Sequence, residues 1–183
     1  MYSNSAESPG FISGTIPGQA QKTWLNKTLQ GISAQRKAGT RKALVFATHH
    51  PPYTAGGHSP STEMLADIDS VCQRTGVMPD MFLSGHAHSY QRYTREVSVN
   101  GRPSQIPYIV AGTGGINDQT VPQATGQKTG DHTFEKSMKG YGYLLVEVSN
   151  SNITTTMFAV DQNTKGRAAF DKVSVNLATN RVG

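Results

Sequence analysis

Residues 43–53 read ALVFATHHPPY. The apolar run from Ala43 to Ala47 follows a basic pair and stops at Thr48, which is the length and composition of a strand buried on both faces, as in a sheet flanked by helices. Thr48, His49 and His50 therefore fall at its carboxyl end. Pro51 and Pro52 fix the backbone of the loop that leaves it. Residues 81–88, MFLSGHAH, repeat this arrangement: Met81 to Leu83 form a short apolar run after Pro79-Asp80 and lead into Gly85, His86 and His88. Between the two runs, Ser61 to Arg74 carries Met64, Leu65, Ile68 and Val71 at helical spacing, with Ser61 and Thr62 as amino-terminal caps. Four of the six histidines thus stand at two strand-to-loop junctions, where open α/β sheets bind ligands.

Outward from this centre, residues 1–17 are rich in Ser, Gly and Pro and read as a loop. Gln19 to Lys37 show a helical period through Trp24, Leu25, Leu29 and Ile32, ended by Gly39. Beyond Tyr90 the pattern is one of strands and turns: Thr94–Val99, an Asn100-Gly101 hairpin turn and Pro107–Ala111. Residues 116–139 are polar and read as a long functional loop. Tyr141–Val148, Ile153–Val160 and Asp171–Val175 read as further strands.

The 183 residues suffice for one domain with a core of its own. Charged residues at 16% and glycine at 19 positions fit a β-rich globule with many turns. No apolar run approaches the ~20 residues of a membrane span, so no membrane partner is expected. Met1 to Ser8 lack a basic region followed by an apolar stretch, so no signal peptide is expected there, and the compartment stays open. The net charge of +5 suits an anionic ligand, but Lys22, Lys27, Arg36, Lys37, Arg41 and Lys42 read as a solvated helix face rather than a nucleic-acid site. The single cysteine, Cys72, excludes an internal disulfide and reads as core.

Neutral imidazole binds Zn, Fe, Mn or Ni, and several imidazoles on rigid supports make a metal site. His86 and His88, one residue apart, point to one side if the segment is extended, with Gly85 supplying the tight turn. His49 ends the apolar strand most directly and is the better ligand candidate; His50 reads as a supporting group. His58, reached through Ala55-Gly56-Gly57, is placed to bring a proton donor or phosphate-binding group over the metals.

The segments Thr48–Tyr53 (THHPPY) and Ser84–Arg92 (SGHAHSYQR), with Tyr108–Gly115 (YIVAGTGG) downstream, resemble the last motifs of the calcineurin-like metallophosphoesterases, closest to the purple acid phosphatase branch. Tyr90 and Arg92 follow the second histidine motif, and His58 falls nine residues after His49, as in that branch. The resemblance covers essentially the whole chain and implies the carboxy-terminal half of an α/β/β/α sandwich: a mixed sheet, helices at the amino-terminal side and a β-rich remainder, in one incomplete domain. It implies a metal-dependent phosphoric ester hydrolase, an acid phosphatase-like phosphomonoesterase or phosphodiesterase. His49 and His86 would bind one metal and His88 the other, with Fe, Zn or Mn as the two divalent or mixed-valence ions. The ions would activate hydroxide for attack on phosphorus. His58 would contact the phosphate or protonate the leaving group, and His50, Tyr53, Tyr90 and Arg92 would support the ligands or touch the ester. Complete members are often secreted or periplasmic.

The same resemblance calls for Asp-x-His, Gly-Asp-x-x-Asp and Gly-Asn-His-Asp/Glu motifs upstream, and none is present. Gly130-Asp131-His132 stands in the wrong order and reads as a loop feature. The isolated chain is therefore expected to be weak or inactive. Its ligand set would be completed by a missing amino-terminal half or by a second copy, unless Asp118 or Asp131 reaches the histidines. A non-catalytic polyanion-binding or structural role is the alternative.

Overall fold

The computed structural model describes residues 18–183 apart from residue 116, together with two short strands, β1 (Asn4–Ser5) and β2 (Ser8–Pro9), paired antiparallel. The rest of the loop expected over residues 1–17 lies outside the described residues. Then follow α1 (Gly18–Lys37), β3 (Val45–Ala47), α2 (Thr62–Thr75), β4 (Met81–Ser84), β5 (Tyr90–Val99), β6 (Arg102–Ala111), β7 (Lys128–Thr129), β8 (His132–Met138), β9 (Tyr141–Val148), β10 (Asn152–Val160), β11 (Arg167–Asn176) and β12 (Arg181–Val182).

The strands make two larger sheets. The mixed sheet has the order β3-β4-β6-β5-β8-β7, with β3, β4 and β6 parallel and the remaining pairs antiparallel; the second sheet, β12-β11-β10-β9, is wholly antiparallel. This is the α/β architecture expected, with both helices toward the amino-terminal side and a β-rich remainder. Period-two alternation explains the layering. Phe82 and Tyr108 face α1 and α2, joining Leu25, Leu29, Met64, Ile68 and Val71 in one core. Their strand neighbours Met81 and Ile109 face the second sheet, joining Ile153, Met157, Val173 and Val175 in another. Cys72 is fully buried in the helix-side core, as expected. No helix of the described residues is long and apolar enough to cross a membrane.

Several boundaries differ from the sequence reading, for local reasons. Strand β3 begins at Val45 instead of Ala43 because the buried Asp80 carboxylate takes the Leu44 N–H at 2.8 Å, while the Asp80 N–H donates to the Leu44 carbonyl. Ser61 occupies the cap position of α2, but its side chain makes no cap hydrogen bond. Trp24 is off the core face of α1 and 56% exposed. The largest departure is the loop expected over 116–139, whose second half is strand: β8 adds to β5 and buries Phe134 as its one fully enclosed apolar residue. With its neighbours polar and only partly buried, β8 carries little period-two signal. The Asn100-Gly101 turn is as expected, with both residues at positive φ (50° and 75°), which type I′ geometry requires.

The basic residues near α1 are not simply solvated. Lys22 pairs with Asp67 at 2.7 Å. Arg41 contacts both carboxylate oxygens of Asp80, whose side chain is fully enclosed, and Arg36 reaches it at 3.5 Å. Removing one partner of a buried pair leaves the other charge uncompensated. Asp80→Ala is therefore expected to cost about 3–5 kcal/mol, read from the urea midpoint, with Asp80→Asn losing less; a midpoint shift under ~1 kcal/mol would show that the pair is a surface contact in solution.

Candidate metal centre

Strands β3 and β4 run parallel side by side, so their carboxyl ends deliver both histidine segments to one edge of the sheet. Backbone pairing continues past the strands: the Thr48 N–H donates to the Leu83 carbonyl at 3.1 Å and the Gly85 N–H to the His49 carbonyl at 3.0 Å. The result is a histidine cluster. His49 Nε2 lies 3.1 Å from His86 Nδ1. Ring centroids are separated by 4.3 Å for His50–His86, 4.9 Å for His49–His50, 4.3 Å for His58–His86 and 5.9 Å for His58–His88.

Within this cluster the ligand atoms of His49, His50 and His86 all lie within 4.8 Å of one another, a spacing that could hold a metal ion. His50, read from sequence as a supporting group, is thus brought to ligand distance. His88 is not in that group; its Nδ1 lies 3.2 Å from the Asn117 carbonyl oxygen. The segment between them is not extended. His86 itself, and not Gly85, adopts a left-handed φ of 65°. Such strain in a non-glycine residue persists only where the surroundings over-determine it. Burial, then the adjoining rings of His50, His58, His49 and His88, push the His86 pKa down to about 4. The ring is therefore neutral at neutral pH, the form that binds metal.

The other residues read from sequence are placed as follows. Tyr53 is buried against Tyr93, Tyr108 and His132, and its hydroxyl donates to Asp131 at 3.2 Å. Tyr90 and Arg92 face the second sheet, where both hold the buried Asp171 of β11 at 2.7 Å. They join the two sheets. Asp131 is engaged by Arg95 at 2.6 Å, and Asp118 faces Lys139 at 3.8 Å; neither is among the grouped donors. The set is therefore all imidazole, borderline donors that suit Zn, Fe or Cu better than Mg or Ca.

Three supporting residues were not singled out from sequence. Gln91, fully buried on β5, ties down the loop before His58: its Oε1 accepts the Ala55 N–H at 2.8 Å and its Nε2 donates to the Ala55 carbonyl and Thr54 Oγ1, each at 3.1 Å. Gln119 lies between the two outer histidines, with Oε1 3.3 Å from the His88 N–H and Nε2 3.4 Å from His58 Nε2. Neither carries a spacing signal; both belong to motifs or loops rich in polar residues. Gly112 allows close backbone approach, since a Cβ there would meet the Ala87 carbonyl oxygen at 1.8 Å. The Tyr108–Gly115 segment gave no indication of this requirement.

No protein-family model matches the chain. "Probable purple acid phosphatase 20" of Arabidopsis thaliana is 26% identical over 135 residues, covering 72% of this chain and 30% of that protein. Among solved structures, "GAP50 the anchor in the inner membrane complex of Plasmodium" superposes with a TM-score of 0.51 at 17% identity, over 87% of this chain and 46% of that one. "Structure of PhoD" gives 0.55 at 13% identity, over 94% and 35%. The chain is thus similar to a purple acid phosphatase in sequence and shares the fold of the two structures. It spans less than half the length of each relative.

Gly112→Ala is expected to force the Ala87 backbone away and to lower stability by about 1–3 kcal/mol. The His86 and His88 amide resonances should shift with it. An unchanged unfolding midpoint and unchanged resonances would mean that the loop has slack at this contact.

Proposed function

We propose that the chain carries the histidine part of a metal-dependent phosphoric ester hydrolase of the acid phosphatase or phosphodiesterase type. The observation that carries the reading is the convergence of imidazoles from two parallel strand ends, His49 and His86 at 3.1 Å, in a chain similar to a purple acid phosphatase. His49 and His86 would hold one ion and His88 a second. When bound, such ions supply Lewis-acid activation and neutralise charge developing on the phosphoryl oxygens. His58, whose ring lies 4.3 Å from that of His86, would orient the phosphate or pass a proton to the leaving oxygen. Gln119 would hold His58 against the His88 loop.

Carboxylate ligands would come from outside these residues, from further chain or from a second copy. Two features favour further chain. Strand β3 is the terminal strand of the mixed sheet among the described residues. On β9, Val146 and Val148 pair with Thr155 and Ile153, which are 1% and 0% exposed, yet are themselves 39% and 60% exposed. Since residues paired across antiparallel strands share a face, the inner face of the second sheet runs on past its cover.

The test is hydrolysis of p-nitrophenyl phosphate by the chain alone and by the chain joined to its upstream coding sequence, each loaded with Zn, Fe or Mn. The joined form should turn the ester over. His86→Ala and His88→Ala should each reduce turnover by more than the ~10–100-fold typical of a lost supporting partner while keeping the circular dichroism spectrum. Full activity in both variants would remove these residues from the reaction.

A further inference from the structure

The proposed hydrolase site draws on His49 and His86 with His88, whereas the fold gathers His49 and His86 with His50. We infer that the 183-residue chain by itself holds one borderline divalent cation on His49, His50 and His86, with His50 as third ligand and His88 outside the coordination sphere. This rests on the metal-binding part of the proposed function, and not on its hydrolytic part.

The geometry is that of a ligand face. Four-coordinate zinc with Zn–N near 2.0–2.1 Å sets its ligand nitrogens about 3.3–3.4 Å apart. The 3.1 Å between His49 Nε2 and His86 Nδ1 is close to that edge, and the His50 donor completes a triangle whose sides are all under 4.8 Å. These side chains need small adjustments to accept an ion, not a rearrangement of loops. The supports are also rigid. His50 is 6% exposed, and its carbonyl accepts the Thr48 hydroxyl at 2.7 Å. The Gly85 N–H holds the His49 carbonyl, and Ser61 N–H holds the Pro51 carbonyl at 2.9 Å, so the segment carrying both imidazoles is fixed on either side. His86 keeps its left-handed backbone within this frame.

His88 is differently disposed. The Asn117 carbonyl lies 3.2 Å from its Nδ1, Gln119 brackets its peptide on both sides, and its ring neighbour is His58. Three neutral nitrogen donors leave a fourth position of a tetrahedral ion open, as in exchangeable rather than closed structural zinc sites. The ligand class is Zn2+, Co2+, Ni2+ or Cu2+, which imidazole prefers, and not Mg2+ or Ca2+, which prefer oxygen.

The experiment is calorimetric and spectroscopic titration of the metal-free chain with Zn2+, Co2+ and Mg2+ at neutral pH. The result expected is one Zn2+ or Co2+ per chain, the intense visible bands of four-coordinate cobalt, and no heat from Mg2+. His50→Phe, which keeps the ring volume, should weaken Zn2+ binding at least ~100-fold, a ligand's loss exceeding that of its supporting partner; Trp24→Ala, at an exposed position of α1, should leave affinity and spectrum as they are. Two ions per chain, none, or equal losses in the two variants would overturn the assignment. If His50→Phe fails to fold, X-ray absorption on the zinc-loaded His88→Ala protein decides: three imidazoles support the site and two refute it. An upstream-extended form without ester hydrolysis would sink the hydrolase reading and leave this one standing. An active extended form, together with a His50→Phe variant of the 183-residue chain that still loads Zn2+ normally, would do the reverse.

Discussion

Parallel pairing of β3 with β4 is the constraint on which the rest of the molecule depends. Phe46 lies opposite Phe82 and Ala47 opposite Leu83, so both strands end at the same level and point the same way. An antiparallel pair would have sent the two histidine segments to opposite ends of the sheet. The strands can stay in register because both faces are covered, Phe82 toward the helices and Met81 toward the second sheet. Asp80 secures the entry to β4 by accepting the N–H of Leu44, the residue before β3, and two arginines besides. The site thus inherits its geometry from a buried junction that contains none of its own residues.

How much of this could be read from the sequence follows from which residues carry their own signal. The apolar runs at 43–47 and 81–83 announce buried strands because burial on both faces excludes polar residues. Histidines immediately after them are legible for the same reason: the strand end is where the apolar run stops. β8 was not legible, since six of its seven residues are only partly enclosed and no alternation survives. Nor was His50's approach to His86. It depends on His86 taking φ 65°, a choice made by the turn between Gly85 and Ser89 with its successive short backbone bonds, and no spacing rule predicts it. Tyr90 and Arg92 look like part of the histidine motif in the linear chain. In space, alternation along β5 sends both to Asp171 on the opposite sheet.

The donor set itself sets a limit on what the described residues can hold. Imidazole brings no charge, and no carboxylate is among the grouped ligands. Two unit charges 4 Å apart repel by about 4 kcal/mol at an effective dielectric of 20, so two dications at that distance repel by about 16 kcal/mol. Carboxylate ligands, above all a bridging one, are the ordinary means of offsetting a repulsion of that size. Asp131, one of the two carboxylates considered from sequence, already holds Arg95 and the Tyr53 hydroxyl and braces the loop that carries His49 and His50. Taking it for a metal would loosen the support to gain the ligand. A single ion has no partner to repel and needs only neutral donors in a fixed arrangement, which three rings at the ends of two parallel strands provide. The step from one ion to two is then a question of where negative charge enters.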